Sequence, residues 1–191
     1  MITDGIGLYI HIPFCKSKCR YCDFASFPGL SDEVRESYVR ALIREIESYK
    51  REEKIRINTV FFGGGTPSLL SALDMKRVLG AARDTFEISD DAEITVEANP
   101  KTVDKEKLAF YHSLGINRLS IGMQSIHENE LKILGRIHSY DDFLETYNTA
   151  REVGFSNISV DIMYAIPEET VASLEKTLDA IIALAPEHIS A

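Results

Sequence analysis

Cysteine is scarce in this chain. The 191 residues contain three, and all of them fall in the octet Cys15-Lys16-Ser17-Lys18-Cys19-Arg20-Tyr21-Cys22. Three thiols exclude a disulfide framework, because pairing two leaves one over. Long apolar runs are missing as well. None approaches the roughly 20 residues of a membrane span, and Met1-Ile2-Thr3-Asp4-Gly5 lacks the basic region and long apolar stretch of a secretory leader. A cytoplasmic location is the expectation, and it suits reduced thiols. Basic charge is in deficit: 21 Lys and Arg stand against 30 Asp and Glu, a net charge of −9. That balance excludes a general nucleic-acid partner, which needs clustered cations to meet phosphate. What is present is 45% hydrophobic and 27% charged, enough for one substantial core in one domain and too apolar for disorder.

The octet is the informative stretch. Three thiolates on a short loop can hold three corners of a cuboidal iron–sulfur cluster and leave the fourth iron open. An open iron suits a small chelating ligand such as the amino-acid end of S-adenosylmethionine (SAM). Structural zinc is the competing reading, but it asks for a closed set of four ligands. No fourth cysteine exists, although His11 lies nearby. Lys16, Lys18 and Arg20 make the octet basic within an acidic chain. They either keep the loop soluble, aid its thiolates, or dock an acidic electron donor.

Along the chain, strand and helix patterns alternate. Residues 5–12 read as a buried strand ended by Pro13. A helix follows, with Ser31 as N-cap, Asp32 and Glu33 in its first turn, and Val34, Tyr38, Leu42, Ile46 and Tyr49 at helical spacing. Residues 58–62 are β-branched and aromatic without alternation, the pattern of a strand buried on both faces. A helix over 71–86, with Leu73, Val78, Leu79 and Ala82 inward, a strand over 92–97 and a helix over 104–114 come next, and Gly115 takes the left-handed C′ position. Residues 115–122 and 154–161 repeat one strand pattern. Between them Ser125 with Glu128 and Ser139 with Asp142 read as capping boxes. A helix over 171–184, stopped by Pro186, leads into a strand over 187–191. Five βα units and a sixth strand predict an α/β protein with a parallel sheet. Candidate residues after nearly every strand favour a partial (β/α)6 barrel, truncated in its sixth strand, over a doubly wound sheet. A chain that stops inside an apolar strand is expected to be a fragment of a longer protein.

Several residues sit where those strands end. Gly63-Gly64-Gly65-Thr66-Pro67 lets backbone approach a ligand with no Cβ between. Glu97 closes an apolar strand, where a carboxylate needs a partner, and paired ribose hydroxyls would provide one. Gln124 and Asp161 hold the same place after later strands. Arg136 can clamp a carboxylate. His11 reads as a packed residue beside the octet and His138 as facing the mouth. His112, His127 and His188 read as structural or exposed, and Met123 and Met163 as core filling.

With these residues in view, the chain resembles the coproporphyrinogen III oxidase-like branch of the radical SAM superfamily. The matching phrases are Tyr9-Ile10-His11-Ile12-Pro13-Phe14-Cys15, Phe62-Gly63-Gly64-Gly65-Thr66-Pro67-Ser68, Glu97-Ala98-Asn99-Pro100, Asn117-Arg118-Leu119-Ser120-Ile121-Gly122-Met123-Gln124-Ser125, Leu134-Gly135-Arg136-Ile137-His138 and Asp161-Ile162-Met163-Tyr164. The resemblance implies a [4Fe–4S] cluster on Cys15, Cys19 and Cys22, and SAM contacts from Tyr9, Tyr21, Gly64, Gly65, Thr66, Glu97, Gln124, Arg136 and Asp161. It implies that residues 1–191 are the core domain, without the family's C-terminal domain. Where the oxidase type has a further cysteine two places after the third ligand, this chain has Phe24. That pattern resembles the haem chaperone type, for which the implied partners are haem or a porphyrinogen, a flavodoxin- or ferredoxin-like electron donor and haem-accepting clients, with membrane contact only through those clients. SAM cleavage is implied; Phe24 argues against decarboxylation of coproporphyrinogen III, the alternative activity of the branch, and a non-enzymatic haem-binding module is the second alternative. Ala165-Ile166-Pro167-Glu168-Glu169 departs from the family's usual Gly-Leu-Pro phrase.

Replacing any one of Cys15, Cys19 or Cys22 by alanine is expected to abolish the brown absorbance of anaerobically prepared protein, and full retention of iron and sulfide in any variant contradicts the assignment.

Overall fold

The computed structural model describes residues 6–191, so Gly5, expected to begin the first strand, lies outside the described residues. Six parallel strands form one sheet: β1 (Ile6–Ile12), β4 (Arg56–Gly64), β5 (Glu87–Ala98), β6 (Arg118–Gln124), β7 (Ile158–Ile162) and β8 (His188–Ser190). Two further strands, β2 (Phe14–Cys15) and β3 (Phe27–Pro28), pair only with each other and bracket the cysteine loop. In the large sheet each new strand is added beside the last, in chain order, and the winding never reverses. A doubly wound sheet reverses at a switch point. This one is the wall of a barrel, with β1 and β8 at its two ends.

The crossovers are α1 (Asp32–Ser48), α2 (Ala72–Thr85), α3 (Lys105–Ser113), the pair α4 (Glu128–Leu134) and α5 (Tyr140–Val153), and α6 (Val171–Leu184). Their ends follow local chemistry. Ser31, Ser71 and Asp104 cap the first three helices by accepting the backbone N–H of Val34, Asp74 and Lys107. Ser139 with Asp142 and Thr170 with Ser173 form reciprocal capping boxes. The box expected at Ser125 does not form. His127 is the N-cap of α4, while Ser125 Oγ accepts the His127 N–H at 2.9 Å and donates to the Glu130 carboxylate. The hydroxyl makes a tight turn two residues before the helix, so the Ser-x-x-Glu spacing is coincidental.

The sheet has two chemically different faces. Register places Ile10, Phe62, Val96, Leu119 and Ile158 in one row, and Ile121 beside Val160 in another. These buried residues pack with Met75, Leu79, Leu108, Phe143 and Ile181 of the helices. The opposite face carries Tyr9, Phe61, Thr95 and Arg118 in register, then Glu97 beside Ser120, Ser159 and His188, then Gly122 beside Asp161 and Ser190. It is a polar concave wall. The expectation that the strand over 58–62 is buried on both faces is therefore corrected: Asn58 and Thr59 are exposed and only the helix-facing residues are sealed. β1 lies at the sheet's edge, with Ile6 and Tyr9 exposed and Ile10 and Ile12 buried. β5 starts at Glu87, five residues earlier than the pattern predicted, because its register with β4 shifts across Ser89-Asp90-Asp91, a polar run that reads as a turn. Leu73 points to solvent; Met75 takes the inward place on α2.

Phe62 joins sheet and helices with none of its surface exposed. Phe62→Ala is expected to destabilise the chain by about 3–5 kcal/mol, read from the denaturant midpoint, and a loss below about 1 kcal/mol contradicts this account of the core.

Candidate active site

All six parallel strands present their C-terminal ends on one side, the side where barrel proteins place function. Pro13 ends β1, and the chain turns at once into β2, which carries Cys15. The loop that follows is held from several directions. Phe27 N–H donates to Pro13 O at 2.7 Å, Arg20 N–H to Leu134 O at 3.0 Å, and Cys22 N–H to Cys19 O at 3.2 Å. Lys18 Nζ donates to Phe24 O at 2.6 Å and to Ser26 Oγ at 2.9 Å. Lys18 thus ties the loop to itself, whereas Lys16 and Arg20 face solvent. His11 Nε2 donates to Ala25 O at 2.8 Å; in the neutral ring, Nδ1 then accepts from Tyr9 Oη at 3.0 Å. The expected packed role of His11 is what the structure shows.

The glycine turn lies against this loop. Gly65 N–H donates to Ile12 O at 2.8 Å. A Cβ at Gly65 would come within 2.7 Å of the Phe14 carbonyl oxygen, a backbone atom that has no room to yield. Gly64 adopts φ +114°, open to glycine at little cost, and a Cβ there would strike the His11 ring. Its N–H donates to Glu97 Oε2 at 2.9 Å.

A cavity opens between the cysteine loop and the strand ends. Cys15, Cys19, Tyr21, Cys22, Gly64, Gly65, Thr66, Glu97, Gln124, Arg136 and Asp161 all line it. Tyr9 does not. It stands farther down the concave wall, its ring stacked on Phe61 at 6.1 Å between centroids. His138 does not face this mouth either. It is buried behind Arg136, with Nε2–H donating to Met123 O at 3.1 Å, and burial, with Arg136 beside it, pushes its pKa down to about 4.

Asn99 was not singled out in the sequence, and it completes a hydrogen-bonded arc between two sulfurs. Thr66 Oγ1 donates to Cys15 Sγ at 3.8 Å, and Asn99 Nδ2 donates to Thr66 Oγ1 at 2.9 Å. Arg136 donates to Asn99 Oδ1, to Gly122 O at 2.9 Å and to Cys19 Sγ at 3.5 Å. The position of Asn99 after Glu97, one place beyond a strand end, was the available signal. Ser120 was also missed: its hydroxyl donates to Asp161 Oδ1 at 2.9 Å. Gln124 ends β6 at φ +72°, a left-handed geometry that costs a side-chain-bearing residue about 1–3 kcal/mol and gathers at functional sites.

Charge in the cavity is only partly compensated. Burial raises the Glu97 pKa, with Asp161 adding to it, while the Gly64 N–H and His11 oppose. Burial likewise raises Asp161 against the Ser120 hydroxyl and the Arg118 and Arg136 cations. The Tyr21 phenol is pushed up to about 12, chiefly by burial.

The three cysteines are free thiols. Among the described residues, no three His, Cys, Asp or Glu side chains gather round a point that one ion could occupy. A single zinc draws each sulfur to about 2.3 Å, whereas a cuboidal cluster gives each thiolate its own iron and asks for three sulfurs around a cavity. Cys15, Cys19 and Cys22 all line the one cavity. Arg136 Nε, in the guanidinium whose Nη1 donates to sulfur, is buried without a partner among the described residues, so the cavity wall carries donor capacity beyond what those residues use.

The sequence profile of the radical SAM superfamily matches residues 9–181. The chain is 38% identical over 188 residues to the heme chaperone HemW of Escherichia coli (strain K12), covering 97% of this chain and 49% of that protein. It is 38% identical over 185 residues to the mitochondrial radical S-adenosyl methionine domain-containing protein 1 of Danio rerio, covering 96% and 41%. The solved coproporphyrinogen III oxidase (HemN) from Escherichia coli superposes with a TM-score of 0.89 at 28% identity, over 98% of this chain and 44% of the other. The chain spans about half the length of the curated relatives it matches.

A carboxylate whose pKa is raised by folding adds stability below its ordinary value, and that stability is lost as pH rises through the raised one. Glu97 therefore burdens the ligand-free fold at neutral pH. Glu97→Gln, which keeps an oxygen for Gly64 N–H, is expected to raise the melting temperature at pH 7, with the gain shrinking as pH falls through the raised pKa and gone below about pH 4. An unchanged or lower value at pH 7 contradicts the burial argument.

Proposed function

The chain belongs to the radical SAM superfamily, and from that premise we propose that Cys15, Cys19 and Cys22 hold a [4Fe–4S] cluster that binds SAM in a haem chaperone of the reducing cytoplasm. The observation that carries the reading is the convergence of those cysteines with Gly64, Gly65, Thr66, Glu97, Gln124, Arg136 and Asp161 on one cavity. When bound, the cluster supplies one-electron cleavage of the SAM sulfonium, giving methionine and a 5′-deoxyadenosyl radical.

The chain's own residues have distinct tasks. Thr66 and Arg136 donate to cysteine sulfurs and steady thiolate charge in a partly buried site. The turn at Gly64 and Gly65 brings backbone against the amino-acid end of SAM. Glu97, half-buried and held by Gly64 N–H, accepts from the ribose hydroxyls. Asp161, fixed by Ser120, and Gln124 line the nucleoside side. Tyr21 walls the cavity between Cys19 and Cys22. Tyr9 acts through His11 on the cysteine loop.

The chaperone reading, with haem as cargo and haem-accepting proteins as clients, is supported by relatives at 36–39% identity named heme chaperones and by Phe24 at the position of the oxidase's extra cysteine. A second reading, oxidative decarboxylation of coproporphyrinogen III, is favoured by the close superposition on HemN. Full-length protein, reconstituted without oxygen and given SAM, a reductant and coproporphyrinogen III, separates them. Haem uptake without vinyl product is expected; vinyl product at catalytic rates overturns the chaperone reading.

Glu97→Ala is expected to retain the cluster and weaken SAM about 10- to 100-fold, the worth of about 1.5–3 kcal/mol for hydrogen bonds to a charged group. Unchanged SAM affinity by calorimetry removes Glu97 from the site.

A further inference from the structure

A half-buried lysine stands against the segment that follows the glycine turn. Lys107 lies in the first turn of α3, where Asp104 Oδ1 accepts its backbone N–H at 2.8 Å. Helix dipoles make that end unfavourable for a cation, and burial pulls the Lys107 pKa down while Asp104 opposes. What the ammonium meets is carbonyl oxygen. Nζ donates to Ser68 O at 2.6 Å and to Thr102 O at 3.4 Å, with the Tyr111 ring centroid 5.8 Å away. A carboxylate, the usual first-turn side chain, offers no donor to either carbonyl. The hydroxyls of the same two residues also meet. Thr102 Oγ1 donates its one proton to Asn99 O at 2.6 Å, so in its 2.5 Å hydrogen bond with Ser68 Oγ it accepts. Thr102 N–H reaches the same Asn99 carbonyl at 3.1 Å. Two separate segments are joined in this way, the one just after Thr66 and the one just after Asn99.

We propose that Lys107 and Thr102 are positioning residues for the cluster: they hold the Ser68 and Asn99 segments together, so that Asn99 keeps the Thr66 hydroxyl turned toward Cys15 sulfur. The proposal rests on the cluster reading above. Neither residue lines the cavity, so each acts through Ser68 and Asn99. A hydroxyl rotates to suit its partners. Here Asn99 Nδ2 donates to Thr66 Oγ1 at 2.9 Å and occupies a lone pair, which leaves the Thr66 proton for Cys15 Sγ. Hydrogen bonds to the sulfurs tune the potential of an iron–sulfur cluster. They favour reduction, because the reduced state carries more negative charge and gains more from each donor. Loosening the Ser68–Thr102 tie frees Asn99, frees the Thr66 hydroxyl in turn, and makes the cluster harder to reduce.

The test uses full-length protein reconstituted without oxygen, as wild type and as Lys107→Met, Thr102→Val, Thr102→Ser and Lys105→Met. Iron and sulfide content and the reduction potential, followed by EPR without SAM, are read for each. Lys107→Met and Thr102→Val are expected to take up iron and sulfide and to become harder to reduce, the equilibrium falling up to about tenfold, or about 59 mV for one electron. Thr102→Ser keeps the hydroxyl and is expected to keep the wild-type potential. Lys105→Met removes a cation from the same turn, one that pairs with Glu152 at 3.0 Å, and is also expected to leave the potential unchanged. A wild-type potential in both Lys107→Met and Thr102→Val overturns the positioning role. So does a shift in Lys107→Met that Thr102→Val does not share, or that Lys105→Met matches, since charge alone then explains it. These results leave the cluster reading intact. If Lys107→Met does not fold, Thr102→Val against Thr102→Ser decides. Wild-type protein that takes up no iron and sulfide overturns both.

Discussion

The structure depends on one hydrogen-bonded arc, from Cys15 Sγ through Thr66, Asn99 and Arg136 to Cys19 Sγ. Its members come from the cysteine loop, the glycine turn after β4, the end of β5 and the segment between α4 and α5. These are four stretches that the chain reaches at widely separate points. In the proposed function these sulfurs carry charge in a half-buried site, which is costly unless donors face it. Arg136 meets that need from a fixed seat, because the Asn99 side chain and the Gly122 carbonyl orient its guanidinium before any ligand arrives. The same cation steadies Asp161 and helps keep His138 neutral.

The fold makes the arc possible. A sheet wound in one direction brings every strand end to the same side, and the division of its faces leaves one wall apolar against helices and the other polar and concave. Two glycines then remove the last obstacle, since a Cβ at Gly64 or Gly65 would collide with the His11 ring or the Phe14 carbonyl. Carboxylates raised by burial and a left-handed Gln124 show stability given up at the strand ends, the usual exchange for a site ready to bind.

Much of this was legible in the chain. Helix ends could be read wherever a short side chain meets its own backbone, as at Ser31, Ser71, Asp104 and Ser139, because that chemistry is local. The cysteine octet, the glycine run, Glu97, Gln124 and Asp161 could be read from spacing and position, the full set of twelve site residues only from the family resemblance, and eleven of those twelve line one cavity. The failures share a cause. Ser125 has the spacing of a capping box but turns the chain early, Lys18 looks like surface charge but ties the loop to itself, and Asn99 looks like a turn residue but links Thr66 to Arg136. In each case tertiary partners far away in sequence decide what the side chain does, and periodicity carries no record of them. Tyr9 shows the same limit, held to His11 and Phe61 by the sheet's register.

The most direct measurement of the central claim is low-temperature EPR of oxygen-free, reduced protein with and without SAM. This account predicts the signal of a single reduced [4Fe–4S] cluster whose line shape changes when SAM is added, because one iron is left for the ligand. A signal indifferent to SAM, or a preparation that carries zinc in place of iron and sulfide, contradicts it.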